Sequence, residues 1–392
     1  MLAAILTSPA PPQLLLNLLR CYTLATLRGI SLRHYAQCAF YRFALHSLTP
    51  RQLQFMSAPT LAVYNSWLPR RQSRAAALAG NKRSGNTQDD KHAAFLASRL
   101  TLDTETLPDG RSTILWMGNR HKATKFVLFF HGGGYIAPAI PGHFEWCTRA
   151  YLLASPAAAT GKDGEEEIAV AFLQYTLCPD THYPGHLRQA VDAMAHLFAS
   201  GRVTPRNLVI GGDSAGGNLT VQVLGHLLRP HPTVRELALE EPLAGAFLVS
   251  PLLSVRTECW ASVARNEGID MISTRSMRMM TPWILGPTEF RAEMAEQKGW
   301  AMPMDLEDPE SWFRGLERVV KEVYVTAGEQ EIFRDESVGF ADAVRKGNPG
   351  ITVQLEVPKD EAHDWILMEG DKGVDGDATK RMRAWVQGLF WP

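Results

Sequence analysis

The chain has 392 residues, 45% of them hydrophobic and 21% charged, which is enough to bury a large core and excludes a disordered chain. Forty Lys and Arg against 41 Asp and Glu leave a formal charge of −1, so the overall balance points away from a nucleic-acid partner. Five scattered cysteines, odd in number and without a C-x-x-C pair, argue against a disulfide framework or zinc site and favour a reducing compartment.

The charge is unevenly placed. Ten Lys or Arg precede Asp89, the first acidic residue, while the rest carries 30 basic against 41 acidic residues, a balance of −11. Met1 to Thr7 is apolar but short, and Pro9, Pro11 and Pro12 end it. From Gln13 to Leu48 the pattern is helical and rich in Leu, Tyr and Phe, interrupted by Arg20, Arg28, Arg33 and Arg42. It holds no apolar run long enough to span a bilayer, and no basic residue leads into the apolar start as a secretory signal would require. Three readings stay open for this stretch: a helical cap over a site, a peripheral membrane-surface helix, and an organelle-targeting segment. The expected location is the cytoplasm or a membrane surface. Residues 70–95 are polar and without periodicity, so they are expected to be a loop. Residues 1–95 thus form an amino-terminal helical cap or amphipathic segment with its loop, and 96–392 a second, larger domain.

From Thr101 short strands alternate with helices. Ser112–Met117 and Lys125–Phe130 read as strands, and the second runs into His131-Gly132-Gly133-Gly134-Tyr135. Ile168–Leu177 is the next strand and Tyr183–Ser200 a helix. Leu208–Ile210 leads to Gly212-Asp213-Ser214-Ala215-Gly216, and a helical pattern, Leu219–Leu228, follows at once. Ala246–Ser250, Val323–Ala327 and Thr352–Val357 complete the strands, and Asp335–Lys346 and Thr379–Leu389 are late helices. This alternation predicts parallel β-α-β units in a doubly wound sheet, with chemistry on loops at the carboxyl ends of strands. At about 255–318 lies a helical insertion carrying Trp260, Met271, Met277, Met279, Met280, Trp283, Met302, Met304 and Trp312. Most of these suit ordinary packing, but flexible methionines near the sheet edge also suit the wall of an adaptable apolar pocket.

A Gly-x-Ser-x-Gly turn between strand and helix is what a nucleophilic serine at a sharp corner needs, with glycines where side chains would crowd strand and helix. Such a serine needs a base, and chain order places an acid and then a histidine after it. Only one histidine, His363, lies beyond position 231. The acid is expected just past Val323–Ala327, where Glu329, Glu331, Asp335 and Glu336 compete. Glu331 is the first choice; Asp335 and Glu336 better suit the start of the next helix, and Glu329 stands close to the strand end. Negative charge forming on a carbonyl oxygen would meet N–H groups of Gly133, Gly134 and Ala215, with Gly132 as the alternative. His131 precedes the acid in sequence, so it is expected to prop the glycine loop. Neither a metal-ligand cluster nor a phosphate-binding loop is found, and no cofactor is expected.

The paired motifs His131-Gly132-Gly133-Gly134 and Gly212-Asp213-Ser214-Ala215-Gly216-Gly217 resemble the hormone-sensitive-lipase-like branch of the α/β-hydrolases, over roughly residues 100–390. The resemblance implies the α/β-hydrolase fold, a mostly parallel eight-stranded sheet, and a Ser214, acid and His363 triad. The family's Asp-Pro-Leu-x-Asp run aligns with Glu331-Ile332-Phe333-Arg334-Asp335, so this chain departs from it with Glu for the triad Asp and no proline. In look the chain is closest to fungal steryl-acetyl-hydrolase-like and natural-product-pathway hydrolases. The expectation is therefore a cofactor-free serine carboxylesterase cleaving a hydrophobic small-molecule ester, in secondary metabolism or sterol-ester deacetylation. Acyl transfer or thioester release uses the same acyl-enzyme and is the alternative; a silent binding protein on this scaffold would lack a triad member.

Overall fold

A computed structural model describes residues 11–80, 87–162, 164–286 and 289–392. Eight strands form one sheet: β1 (Thr104–Thr106), β2 (Thr113–Met117), β3 (Lys125–Phe130), β4 (Ile168–Gln174), β5 (Leu208–Asp213), β6 (Gly245–Val249), β7 (Glu322–Thr326) and β8 (Thr352–Glu356). Their spatial order is β1-β2-β4-β3-β5-β6-β7-β8, with β2 antiparallel to both its neighbours, β1 and β4, and every other pair parallel. Strands β3 to β6 are buried on both faces, which is why they read as continuous apolar runs. Along β3, Phe126, Leu128 and Phe130 join one core while Val127 and Phe129 join the other, as a two-residue period requires. The one strand that sequence reading passes over is β1, three polar residues at the sheet edge.

Helices α1 (Pro11–Arg28), α2 (Leu32–Ser47) and α3 (Pro50–Met56) precede the sheet. Among the described residues, no helix is long and apolar enough to cross a membrane. Two arginines tie these helices to the insertion. Arg42 is buried and donates to Asp270 O (2.9 Å) and Ile272 O (3.3 Å), and Arg28 donates to Asn266 Oδ1 (2.8 Å) and Arg265 O (2.6 Å).

The expected loop at 70–95 is corrected by the structure. Helix α4 (Thr60–Gly80) runs through its first half and α5 (Gln88–Arg99) takes most of the second; residues 81–86 lie outside the described residues. Ala75, Ala76, Ala77, Leu78 and Ala79 are strong helix formers, which outweigh the polar residues around them. Thr87 and Asp90 form a reciprocal cap, Asp90 N to Thr87 Oγ1 (3.3 Å) and Thr87 N to Asp90 Oδ2 (3.0 Å), and so start α5. Residue 95, the expected boundary, falls inside α5, which is anchored to the sheet layer by a buried two-bond pair between Arg99 and Glu167 (2.8 and 2.7 Å).

Strand β4 ends at Gln174, three residues earlier than expected, because Gln189 Oε1 accepts from Thr176 N (2.9 Å) beyond it. The remaining helices are α6 (Pro141–Ala150), α7 (Pro156–Thr160), α8 (Gly185–Ala199), α9 (Ala215–Leu228), α10 (Ala261–Asn266), α11 (Thr274–Leu285), α12 (Glu289–Ala295), α13 (Pro309–Phe313), α14 (Arg334–Gly347), α15 (Trp365–Lys372) and α16 (Asp377–Phe390). The insertion is thus helical, from α10 to α13.

Candidate active site

Strand β5 ends at Asp213 and α9 begins at Ala215, leaving Ser214 alone at the corner with φ 51° and ψ −113°. That left-handed φ is costly for a residue with a side chain, and its neighbours hold it. Ser214 N donates to Val249 O (2.8 Å), and Asn218 N donates to Ser214 O (2.9 Å). A Cβ at either Gly212 or Gly216 would come within 1.9 Å of Phe130 O, so the corner closes onto β3 only with glycine at both places.

Beside the corner, the glycine loop after β3 is fastened to it. Asp213 is fully buried, and its Oδ1 accepts from Gly132 N (2.9 Å) while Oδ2 lies 3.2 Å from His143 Nε2. A Cβ on Gly132 would meet Asp213 Oδ2 at 2.1 Å. The N–H of Gly132 is therefore committed to Asp213. The N–H groups of Gly133, Gly134 and Ala215 have no acceptor among the described residues. Gly133 (φ 100°) and Gly134 (φ 61°) take the left-handed region that their lack of a side chain permits. His131 lies beneath, buried, stacked on Tyr175 at 4.4 Å, with burial lowering its pKa to about 4.

His363 is buried, its Nε2 3.1 Å from Ser214 Oγ and its Nδ1 3.3 Å from Glu331 Oε2. Of the four competing carboxylates, Glu331 is the one facing that ring. Glu329 pairs with Arg265 (2.7 Å) and Arg334 (2.9 Å). Asp335, in the first turn of α14, pairs with Arg334 (2.6 Å) and accepts from Ser262 N (2.7 Å). Glu336 is buried and accepts from Leu253 N (2.9 Å).

Two acids that the sequence reading passes over also face this group. Asp364 sits at φ 53°, donates its N–H to Ser250 Oγ (3.1 Å), and brings Oδ2 to 3.3 Å from His363 Nε2. Its place directly after the lone late histidine was a usable signal; the backbone twist that turns it inward was not. Asp270, from the insertion, is buried and accepts from Ile332 N (2.6 Å) and Ile272 N (3.2 Å), bracing the loop that carries Glu331. Burial raises the Asp270 carboxyl to about 7. For His363 burial works against the charged form, but Asp364 and Glu331 outweigh it and hold the imidazole pKa well above its ordinary value. Burial raises the Asp364 carboxyl in turn.

Ser214 and His363 line a cavity of about 650 Å³. Phe40, Leu48 and Met56 from the amino-terminal helices form one wall, and Met271, Met277 and Met280 from the insertion another. The other named Trp and Met residues of the insertion do not line it: Met302 and Trp312 are buried in the core, and Met279 and Trp283 are exposed.

A corner serine between strand and helix, facing a late histidine across a mostly parallel sheet, is the arrangement of an α/β hydrolase. The chain belongs to that family: residues 127–367 match the one described as alpha/beta hydrolase fold. Among curated relatives it is similar to Lipase 2 of Moraxella sp. (strain TA144), 24% identical over 278 residues, covering 64% of this chain and 57% of the relative. It is also similar to the versiconal hemiacetal acetate esterase of Aspergillus parasiticus, 30% identical over 92 residues, covering 24% of this chain and 25% of the relative. The chain thus spans little more than half of the first relative and a quarter of the second. Among solved structures, an esterase from the bacterial hormone-sensitive lipase family shares the fold, with a TM-score of 0.54 at 23% identity over 83% of this chain and 98% of that one. A study of two fungal esterases from Rhizomucor miehei gives a TM-score of 0.56 at 16% identity, over 85% and 98%.

Proposed function

We propose that the chain is a serine carboxylic-ester hydrolase acting through an acyl-enzyme. Ser214 is the nucleophile, His363 the base and Glu331 the acid. One observation carries the reading: Ser214 and His363 line an apolar cavity with Ser214 Oγ 3.1 Å from His363 Nε2, and Glu331 Oε2 lies 3.3 Å from the other ring nitrogen. Ser214 Oγ attacks the ester carbonyl while His363 Nε2 takes its proton. The carbonyl oxygen becomes an anion within reach of the N–H groups of Gly133, Gly134 and Ala215. His363 then protonates the departing alcohol, and water repeats the sequence on the acyl-serine. Glu331, negatively charged, stabilises the positive charge that His363 holds between these transfers.

The apolar cavity suits an ester with a bulky hydrophobic alcohol and a short acyl group, and the name of the Aspergillus relative supports an acetate ester; the setting proposed for it is secondary metabolism. Sterol acetates fit the same description. A fluorophosphonate probe and p-nitrophenyl acetate test the chemistry. Labelling and turnover are expected from the parent protein and neither from Ser214→Ala; labelling or turnover kept by that variant rejects the assignment.

The amino-terminal helices form the cap of this site, and their outer face favours peripheral contact with a membrane. Leu15, Leu16, Leu19, Tyr22 and Leu27 lie exposed on one side of α1, and Phe55 at the end of α3 is 92% exposed beside the cavity-lining Met56. A hydrophobic ester could enter from that side. Sedimentation with neutral phosphatidylcholine vesicles tests the contact, and Leu19→Asp with Leu27→Asp is expected to abolish it.

A further inference from the structure

A second hollow, of about 370 Å³, lies between α4, α6 and the end of α15. Trp67, Arg70, Arg71, Arg74 and Leu78 line it from α4, at the spacing that puts them on one side of that helix. Arg149 and Glu145 line it from α6, and Asp371 and Lys372 from α15. Five cations thus meet two carboxylates, a surplus of three positive charges.

Like charges three and four residues apart on a helix repel, so Arg70, Arg71 and Arg74 destabilise α4 unless something neutralises them. The protein supplies one partner. Arg71 Nε and Arg149 Nε both point to Glu145, at 2.9 and 2.7 Å. That leaves the terminal Nη groups of both arginines without an acceptor among the described residues, and Arg70 and Arg74 have no acidic partner there at all. The arrangement differs from a solvated basic face. The Arg71, Glu145 and Arg149 side chains are only 14%, 9% and 20% exposed, so the inner donors are fixed before any ligand arrives. Planar guanidinium forks around a concave, positively charged site match the oxygens of a phosphate group, each fork able to give two parallel bonds.

We propose that this hollow binds a phosphate-bearing ligand, gripped by Arg70, Arg71, Arg74 and Arg149. Trp67 and Leu78 flank the arginines and would meet an apolar portion of the same molecule. The phosphate can come from a soluble phosphorylated compound or from the headgroup of an anionic lipid. The hollow neighbours the ester cavity, since Asp371 near the end of α15 lines both, but none of the four arginines lines that cavity.

Titration calorimetry with pyrophosphate, and sedimentation with phosphatidylcholine vesicles with and without phosphatidic acid, test the site on the full chain. Arg70→Gln with Arg74→Gln changes two exposed side chains and is expected to leave folding and p-nitrophenyl acetate turnover intact. Saturable pyrophosphate binding, weakened at least about tenfold in that variant, supports the site and a soluble ligand. Sedimentation that phosphatidic acid raises above the level with neutral vesicles, an increase lost in the variant, without pyrophosphate binding, supports it and names a lipid source. Binding of neither probe, or equal binding by the parent and the variant, overturns it. Ser214→Ala protein is expected to bind like the parent, so failure of the esterase reading would not touch this result.

Discussion

Replacing Glu331 by Gln keeps the side-chain shape and removes one charge. Glu331 and His363 are both buried and 3.3 Å apart, where a full charge pair at an effective dielectric constant of ~20 is worth about 5 kcal/mol. That attraction acts only while His363 is an imidazolium, which is the state around the transition state for acyl transfer. The ground state with neutral imidazole keeps little of it. Asp364, which also faces the ring, recovers part, so a loss of about 4 kcal/mol, or roughly a thousandfold in kcat, is expected. KM for p-nitrophenyl acetate should stay within a factor of about three, because the cavity wall is untouched. Steady-state kinetics give both numbers. Asp335→Asn, at an acid committed to Arg334 and Ser262 N, should lose less than about threefold. A Glu331→Gln enzyme within threefold of the parent, or an Asp335→Asn enzyme as damaged as expected for Glu331→Gln, would refute the assignment.

Three further outcomes follow from the same geometry. His363 must be neutral to accept the serine proton and its pKa is raised, so kcat/KM should fall as pH drops through a value above the ordinary histidine range; Asp364→Asn removes a raising charge and should move that limb to lower pH, read from the pH profile. A Cβ at Gly216 would lie 1.9 Å from Phe130 O, so Gly216→Ala should abolish turnover and lower the melting temperature, whereas Gly388→Ala, with open space around it, should do neither. Met280 lines the cavity beside Gly134, and Met280→Trp should cut kcat/KM for p-nitrophenyl hexanoate relative to acetate by about tenfold, measured by direct comparison of the two esters.

Much of the fold is legible because buried parallel strands must be apolar throughout. Lys125–Phe130 and Thr352–Glu356 are read to within a residue, while β1 escapes because a three-residue edge strand of Thr, Glu and Thr carries no hydrophobic signal. The loop expected at 70–95 fails for the opposite reason: charged and polar residues outnumber apolar ones there, yet alanine propensity and the Thr87–Asp90 cap suffice for helices once packing is available. For the site, chain order singles out Ser214 and His363, since a nucleophile elbow requires a later histidine and one exists. The choice among Glu329, Glu331, Asp335 and Glu336 rests on which carboxylate the chain turns inward; Arg334, a chain neighbour, engages Glu329 and Asp335, while Arg265, which also holds Glu329, comes from the insertion and is next to it only in space.

By itself the order of residues determined the tight turns, because a glycine or a left-handed serine is a local demand that neighbouring atoms impose. It also determined which groups were available for the chemistry. Only the tertiary structure decided that Asp270 braces the loop carrying Glu331, that α2 and α3 wall the cavity with the methionines of α11, and that Arg149 closes onto the arginines of α4. Those meetings join residues tens to hundreds of positions apart. Their energies depend on burial and distance, and neither quantity exists until the chain has folded.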